Sequence, residues 1–555
     1  MVSDTALDTC ESCLAATRAA GGSGDSTSYP NAALELLGAV ADLAAPIMAR
    51  DDVPNSANEE LLSAIITCCV ALGSTHARSM VEFIERYGQA EITGPARRML
   101  QVLLQAQSTP GHYPIHETRS NLVFGFWYTL QDEILSIMEY KKNVNGVWRE
   151  VFSQLLTVLV VKSEVPAEAT LCKDDLELLR CYRQDIADSL MYCFAILGEW
   201  CWSTVEAAYV SAAAGARREA ALHVFLALAD AAPHERAPPP LANMLQHAVH
   251  QANTARDKRT LNTALDCLGS YASWLSTVGG ARGAELGREC VRAAGAALTR
   301  CPASAALALR KLCADCTGPA AELAPDIVQA AQNSRGEEAW TRRQLVGAAG
   351  AALAAAEPDV AIKLLRELAE TLHADLTLQA QEPTVVSGAS DCAAALVAAL
   401  MTRSELCAEL FRLLAPTLPP FALHPNLVEP MFNILKQVVS TLMGDCLPLV
   451  GQIAELTVSG FHTLPCATGL DVVKLVVIVL GNEWSGACEM LHSCVSCSAR
   501  EVARDASSRS DLTEGLFVLL TAVTRKRPLY LDWLEDVLDQ LVDLGCECVR
   551  MWEAG

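Results

Sequence analysis

The sequence predicts an all-α protein in which antiparallel helix pairs stack into a solenoid. Apolar residues recur at helical spacing along almost the whole chain, in segments of roughly 13–20 residues separated by short turns. Two such helices with their turns take roughly 40–47 residues, which is the period of HEAT and armadillo repeats. No run of alternating β-branched residues bounded by turn signals calls for a β-sheet. At this period the 555 residues hold about a dozen repeats, wound as a right-handed superhelix.

A set of unrelated helical bundles is the alternative, because no sequence identity recurs at a fixed period. We favour one HEAT-repeat array over residues 1–555, since no long linker separates compact units.

The first part of the chain contains two helix pairs and a leading helix. Residues 20–30, rich in Gly and Ser, are predicted to be a flexible loop. Gly73 and Gly88 each follow a helical segment, where we expect left-handed C-caps. The predicted helices here are 4–19, 31–49, 57–73, 75–88 and 95–107.

The stretch from Thr109 to Tyr140 is the most distinctive in the chain because it gathers several of the few aromatic residues. Pro110 and Pro114 predict an irregular connection, and Thr118 or Ser120 is expected to cap the helix that follows. The buried stripe of this helix is predicted to consist of Val123, Trp127, Leu130, Ile134 and Ile137. Its polar face is predicted to consist of Gln131, Asp132, Glu133 and Ser136.

The rest of the chain continues the same pattern. After a loop at 163–173, residues 174–202 form one long predicted helix whose first turn is acidic, and Asp185 and Asp188 fall outside its apolar stripe. Prolines and paired glycines break the remainder into further segments. These predicted helices are 216–231, 241–254, 257–278, 282–299, 303–316, 319–333, 336–356, 358–376, 389–401, 403–415, 425–443, 447–460, 468–481, 484–498, 510–525 and 529–552.

The composition indicates a soluble intracellular protein with basic partners. A net charge of −23 argues against nucleic-acid binding and favours the recognition of basic partner proteins. The alternative is that the acidic residues only keep the protein soluble. We expect no signal peptide and no uncharged apolar run long enough to cross a membrane.

Catalytic and metal-binding signatures are missing from the sequence, so we predict neither an enzyme nor a cofactor or metal site. The CxxC pairs, Cys10/Cys13, Cys313/Cys316 and Cys494/Cys497, are too far apart to form a zinc site together. His247 and His250 lie on one helix face, where two surface histidines are the favoured interpretation.

Two segments are distinctive enough to compare with known families: PGHYPIHETRSNLVFGFWYTLQDEIL, from Pro110 to Leu135, and YRQDIADSLMY, from Tyr182 to Tyr192. Both resemble the importin-β (karyopherin-β) family of nuclear transport receptors. The resemblance is most specific over residues 109–202 and runs colinearly from about residue 60 to the end of the chain.

The resemblance implies a HEAT-repeat receptor that shuttles between cytoplasm and nucleus. It implies protein cargo on the concave face, FG-repeat nucleoporins on the outer face, and RanGTP as the switch, with import and also export as directions. The family's N-terminal region, which carries much of the Ran surface, is not found here. We therefore expect a chain that starts in the middle repeats, and its Ran dependence stays open.

Candidate contacts to cargo or Ran are the acidic residues outside the buried stripes: Asp132, Glu133, Asp185 and Asp188. A solubilising or capping role is an equally valid interpretation of each. A HEAT-repeat scaffold without Ran dependence is the alternative function.

Overall fold

The computed structural model describes residues 28–48, 56–87, 94–138, 146–166, 171–213, 215–234, 236–278, 280–378, 382–504 and 508–554. Over these ranges the chain consists of α-helices and short 3-10 turns, with no β-strand. It divides into two compact units, Met1–Tyr271 and Ala272–Gly555. The predicted all-α class is confirmed, whereas a single array of about a dozen repeats stays a prediction.

The first unit is built from two layers of helices. In one layer α2, α5, α7, α9 and α11 pack successively, and in the other α1, α4, α6, α8 and α10 do so. The helices are α1 (Ser28–Met48), α2 (Ser56–Thr75), α3 (Ala77–Tyr87), α4 (Pro95–Gln107), α5 (Phe124–Met138), α6 (Gly146–Lys162), α7 (Lys173–Leu197), α8 (Trp200–Ser211), α9 (Ala216–Ala227), α10 (Pro239–Thr254) and α11 (Lys258–Ser270).

The second unit repeats this arrangement. Successive members of one layer, α14, α17, α19, α21, α23 and α25, pack most extensively. The helices are α12 (Ala272–Thr277), α13 (Gly280–Ala297), α14 (Pro302–Asp315), α15 (Thr317–Glu322), α16 (Ala324–Asn333), α17 (Ala339–Ala355), α18 (Pro358–Leu376), α19 (Pro383–Ala399), α20 (Ser404–Leu414), α21 (Pro425–Leu442), α22 (Val450–Thr463), α23 (Ala467–Leu480), α24 (Ala487–Arg504), α25 (Ser510–Lys526) and α26 (Glu535–Ala554).

Small residues allow helices of this layer to approach closely. A Cβ on Gly350 of α17 would lie 2.7 Å from the Cβ of Ala399 in α19. The alanine- and glycine-rich composition of α17 therefore reflects tight helix packing.

Several predicted boundaries are wrong for local reasons. The predicted helix 174–202 ends at Leu197, because Gly198 has a positive φ of 60° and a new helix starts at Trp200. The predicted helices 257–278 and 319–333 are each two helices in the structure. Gly73 is no C-cap but lies inside α2, where a Cβ would meet the Phe126 ring at 2.9 Å.

Two other predictions fall at the edge of what the structure describes. Helix α1 begins at Ser28, inside the stretch 20–30 that was predicted to be a loop. The remainder of that stretch, the predicted helix 4–19 and Gly88 lie outside the described residues.

One segment of the described chain, Pro425–Thr463, is long and apolar enough to cross a membrane, and the bent pair Glu59–Thr75 and Ala77–Tyr87 passes the same test together. This differs from the expectation that no such run exists. In the structure Pro425–Thr463 comprises α21 and α22, joined by the 3-10 turn Met443–Leu449, and α21 packs between α19 and α23. Its position in the core of the second unit accounts for its composition.

Candidate binding surfaces

A buried ion pair holds the connection that precedes α5. Lys162 Nζ, at the end of α6, lies 2.7 Å from Glu117 Oε1, and both side chains are almost fully buried. The same ammonium donates hydrogen bonds to the carbonyls of Thr109 and Gly111. Burial lowers the pKa of Lys162, and the charge of Glu117 acts in the opposite direction. The Lys162 ammonium thus connects the PGHYP turn, which starts at Pro110, to the end of α6.

Glu117 also caps the helical stretch that begins after it. Its Oε2 accepts from the backbone N–H of Ser120 at 2.9 Å, and its Oε1 accepts from Ser120 Oγ at 2.6 Å. Thr118 makes no side-chain cap bond. Thr118 occupies the predicted N-cap position of the 3-10 turn Arg119–Val123, but the predicted side-chain cap is not formed, because the buried carboxylate fixed by Lys162 takes that role.

The two family-like segments meet in the core of the first unit. Ser120 Oγ lies 2.7 Å from Tyr182 Oη, and the Tyr182 ring stacks on Tyr113 at 4.4 Å between centroids. Gln107 donates to the Ser120 carbonyl and accepts from Trp127 Nε1, each at 3.1 Å. These contacts fix the position of α5 relative to α7, and with it the surface that the two helices share.

That surface combines tyrosine rings with carboxylates. The Tyr128 ring of α5 is 56% exposed and lies 5.7 Å from the Tyr192 ring of α7. Asp132 is exposed one helical turn after Tyr128. Asp185 and Asp188 lie on α7 beside Tyr192. We call Tyr128, Asp132, Asp185, Asp188 and Tyr192 the acidic aromatic face.

The electrostatics of this face show unbalanced negative charge. Partial burial, followed by the charge of Asp188, raises the pKa of Asp185. Burial and then the charges of Asp188, Tyr128 and Asp185 raise the pKa of Tyr192. A cation placed here would offset the contribution of the negative charges to both pKa values.

The fourth predicted contact residue, Glu133, does not join this face. Its charge acts on Arg78 of α3. The main cause of the raised pKa of Arg78 is the hydrogen bond that Arg78 donates to Glu82, and the charge of Glu133 adds to it. Tyr128 belongs to the aromatic residues of the 109–140 stretch, and its exposure was not predicted from the sequence. The available signal was its position outside the predicted stripe. Val123, Trp127, Leu130 and Ile134 of that stripe are buried as predicted, whereas Ile137 is only partly buried.

An apolar groove of about 260 Å³ lies in the second unit, between α13, α14 and α16. Most of its lining residues are apolar, among them Val291, Leu309 and Ile327, and the charged residues Arg292 and Asp326 also line it. A Cβ on Gly295 would have no atom within 4 Å, so the groove is open above it. We call this site the apolar groove. Its size and lining suit a single apolar or aromatic side chain.

The cysteine and histidine pairs show structural roles where they are described. Burial raises the pKa of Cys313 and of Cys316 to about 12, so both thiols stay protonated. Cys494 and Cys497 are also buried, whereas Cys10 and Cys13 lie outside the described residues. Within the described ranges no group of three or more metal-ligating side chains occurs. His247 stacks on the Tyr209 ring at 4.5 Å.

Comparison with known proteins identifies importin-13 as a relative. A family profile described as the Importin 13 repeat matches residues 166–199, within the segment that carries the sequence resemblance. Importin-13 from Rattus norvegicus is 25% identical over 508 residues, which is 83% of this chain and 51% of the relative. The chain thus spans about half the length of this curated relative. The resemblance to the importin-β family is confirmed.

Solved structures support the fold. A structure of importin-13 in its cytosolic state superposes with a TM-score of 0.79 at 21% identity, covering 94% of this chain and 63% of that one. A structure of Kap95 with RanGDP gives a TM-score of 0.54 at 11% identity and covers 92% of this chain and 62% of that one. A structure of Kap95 with Nup1 gives a TM-score of 0.56 at 13% identity and covers 93% of this chain and 62% of that one. The predicted HEAT-repeat solenoid class is confirmed.

Proposed function

We propose that this chain acts in a nuclear transport receptor, which carries protein cargo between cytoplasm and nucleus under the control of the Ran GTPase. The observation that carries the proposal is the similarity to importin-13 along 83% of the chain. The activity is binding rather than catalysis, and the protein would be found in both compartments. Import is the primary direction, with export as a further one.

Basic cargo would bind at the acidic aromatic face. An arginine or lysine side chain placed between Tyr128 and Tyr192 would meet the ring faces and the carboxylates of Asp185 and Asp188. The net charge of −23 would speed the encounter with such a cargo. Asp132 extends the face along α5, and Glu133 is a separate candidate contact near Arg78.

The apolar groove would take a phenylalanine from an FG-repeat nucleoporin. Kap95, whose fold this chain shares, forms a complex with Nup1. The support from this chain is the size of the groove and its mostly apolar lining.

A binding assay in three Ran states tests the proposal. The immobilised chain is incubated with cytosolic proteins and RanGTP, RanGDP or no Ran, with importin-13 as the positive control. The proposal predicts that RanGTP binds to the chain and that RanGDP does not. It also predicts that RanGTP changes which basic proteins the chain retains. It also predicts that a fluorescent fusion labels the nuclear envelope of permeabilised cells. Indifference to Ran together with no envelope labelling would favour the scaffold function.

A further inference from the structure

A basic pocket of about 340 Å³ lies beside α7 in the first unit, although the chain as a whole is strongly acidic. Three arginines, a histidine and an amide from α7, α9 and α11 face an apolar wall, and the lining contains no carboxylate. The lining residues are Arg180, Arg183, Gln184 and Ala187 of α7, His223 of α9, Arg259 of α11, and Val165, Leu176 and Leu179.

The guanidinium of Arg183 forms a buried ion pair with Glu219. Its Nη2 donates to Glu219 Oε1 at 3.0 Å, and only 14% of the arginine side chain and 2% of the glutamate side chain are exposed. Thr263 Oγ1 donates to the same carboxylate oxygen at 2.7 Å. The Nε of Arg183 is buried and has no hydrogen-bond partner among the described residues. The guanidinium is therefore held in place with donor capacity left over.

His223 adds a second buried nitrogen without a partner. Its Nε2 makes no hydrogen bond within the described part of the chain. Burial, and then the charge of Arg183, lowers the pKa of this histidine to about 3. Burial also lowers the pKa of Arg183, with Glu219 opposing and Arg259 adding to the effect. His223 is neutral and Arg183 is paired with Glu219, so what the pocket offers is a set of N–H donors in a partly desolvated place, where an anion would be stabilised.

Arg180 stands at the mouth of the pocket. Its side chain is 69% exposed and bonds to Glu177 at 3.0 and 2.7 Å. An exposed pair of this kind contributes little stability, so Arg180 can exchange Glu177 for a ligand at small cost.

We propose that this pocket binds a phosphate group, carried by a phosphomonoester or as the free anion. Guanidinium groups match phosphate oxygens with paired N–H donors, and Arg180, Arg183 and Arg259 supply them from two helices. The volume exceeds that of a phosphate ion, and the wall of Val165 and Leu179 can cover a short organic stem. The proposal does not depend on the transport function.

Titration of the full chain tests it, in a phosphate-free buffer at constant ionic strength. Inorganic phosphate, O-phosphoserine and serine are the probes, with calorimetry as the readout. We expect saturable binding of a phosphate probe and none of serine. Tighter binding of O-phosphoserine would assign a phosphomonoester, and equal affinities would assign the free anion.

The variants are Arg180→Gln alone and combined with Arg259→Gln. The double variant should lose about tenfold or more in affinity. Arg78→Gln is the matched control, because Arg78 is 77% exposed and is paired with Glu82 on its own helix in the same way. Absence of saturable binding of both phosphate probes, or affinity of the folded double variant within twofold of the parent, would overturn the proposal.

Discussion

The ammonium of Lys162 and the carboxylate of Glu117 meet at 2.7 Å across 45 residues of sequence, and both are withdrawn from solvent. This pair places the turn that starts at Pro110 against the end of α6. It thereby fixes the start of α5, which carries Tyr128 and Asp132 of the acidic aromatic face. A buried pair of charges is costly to break from one side, because the remaining charge stays desolvated.

Replacing Lys162 by methionine should destabilise the first unit by about 3–5 kcal/mol. Adding Glu117→Gln should restore part of the loss, since the amide oxygen can still accept from Ser120 and no charge stays buried. Chemical denaturation followed by tryptophan fluorescence measures both. Arg78→Met, which breaks an exposed pair, is the control and should cost under about 1 kcal/mol. A similarly small effect of Lys162→Met would contradict the role of the pair.

Helix positions were predictable from the sequence because apolar periodicity is a local signal, as at Trp127, Leu130 and Ile134. The cap at Glu117 was not, because its role depends on Lys162, which is distant in sequence. Proximity between Tyr128 and Tyr192 likewise depends on how α5 packs on α7. Acidic residues outside the stripes could be named from the sequence, but which of them share a surface required the structure.

The acidic aromatic face should bind arginine-rich segments through Asp185 and Asp188. Replacing both by asparagine is expected to weaken binding of a labelled oligoarginine peptide about tenfold and to reduce its salt dependence. Fluorescence anisotropy at two salt concentrations measures this. Asp185→Asn should also raise the free energy of unfolding slightly, by under about 1 kcal/mol, because the carboxylate it replaces is partly desolvated and faces Asp188.

The matched control is Glu367→Gln with Glu370→Gln on α18, which removes the same charge at the same spacing in the second unit. Equal weakening by the control pair would show that net charge, and not this face, governs binding.

Filling the apolar groove should block an FG-repeat peptide without harming the fold. Gly295→Met projects a side chain into open space, so we expect binding to weaken about tenfold. Helix stability should rise by about 0.5–1 kcal/mol, because glycine is a poor helix former. Gly451→Met is the control, since Gly451 is also helical, exposed and free of neighbours within 4 Å at its Cβ position. Unchanged affinity in Gly295→Met would exclude the groove.

His223 should make the first unit sensitive to mild acid. Its folded-state pKa of about 3 lies below the ordinary value of 6.5, so protons bind the unfolded chain first as the pH falls. Its stabilising contribution is complete above pH 6.5 and is lost toward pH 3, by up to about 1.4 kcal/mol per pH unit. Burial, and then the charge of Arg183 on α7, keeps the ring neutral. Arg259 of α11 lines the same pocket, and the carboxylate of Glu219 is engaged by Arg183.

The measurement is the difference in urea-unfolding free energy between pH 7 and pH 5. For the parent chain His223 contributes up to about 2 kcal/mol to this difference. His223→Gln removes that share whatever its effect on stability at pH 7, because glutamine does not titrate. Exposed His234→Gln controls for the substitution itself. An unchanged difference in His223→Gln would mean that the ring titrates alike in the folded and unfolded chain.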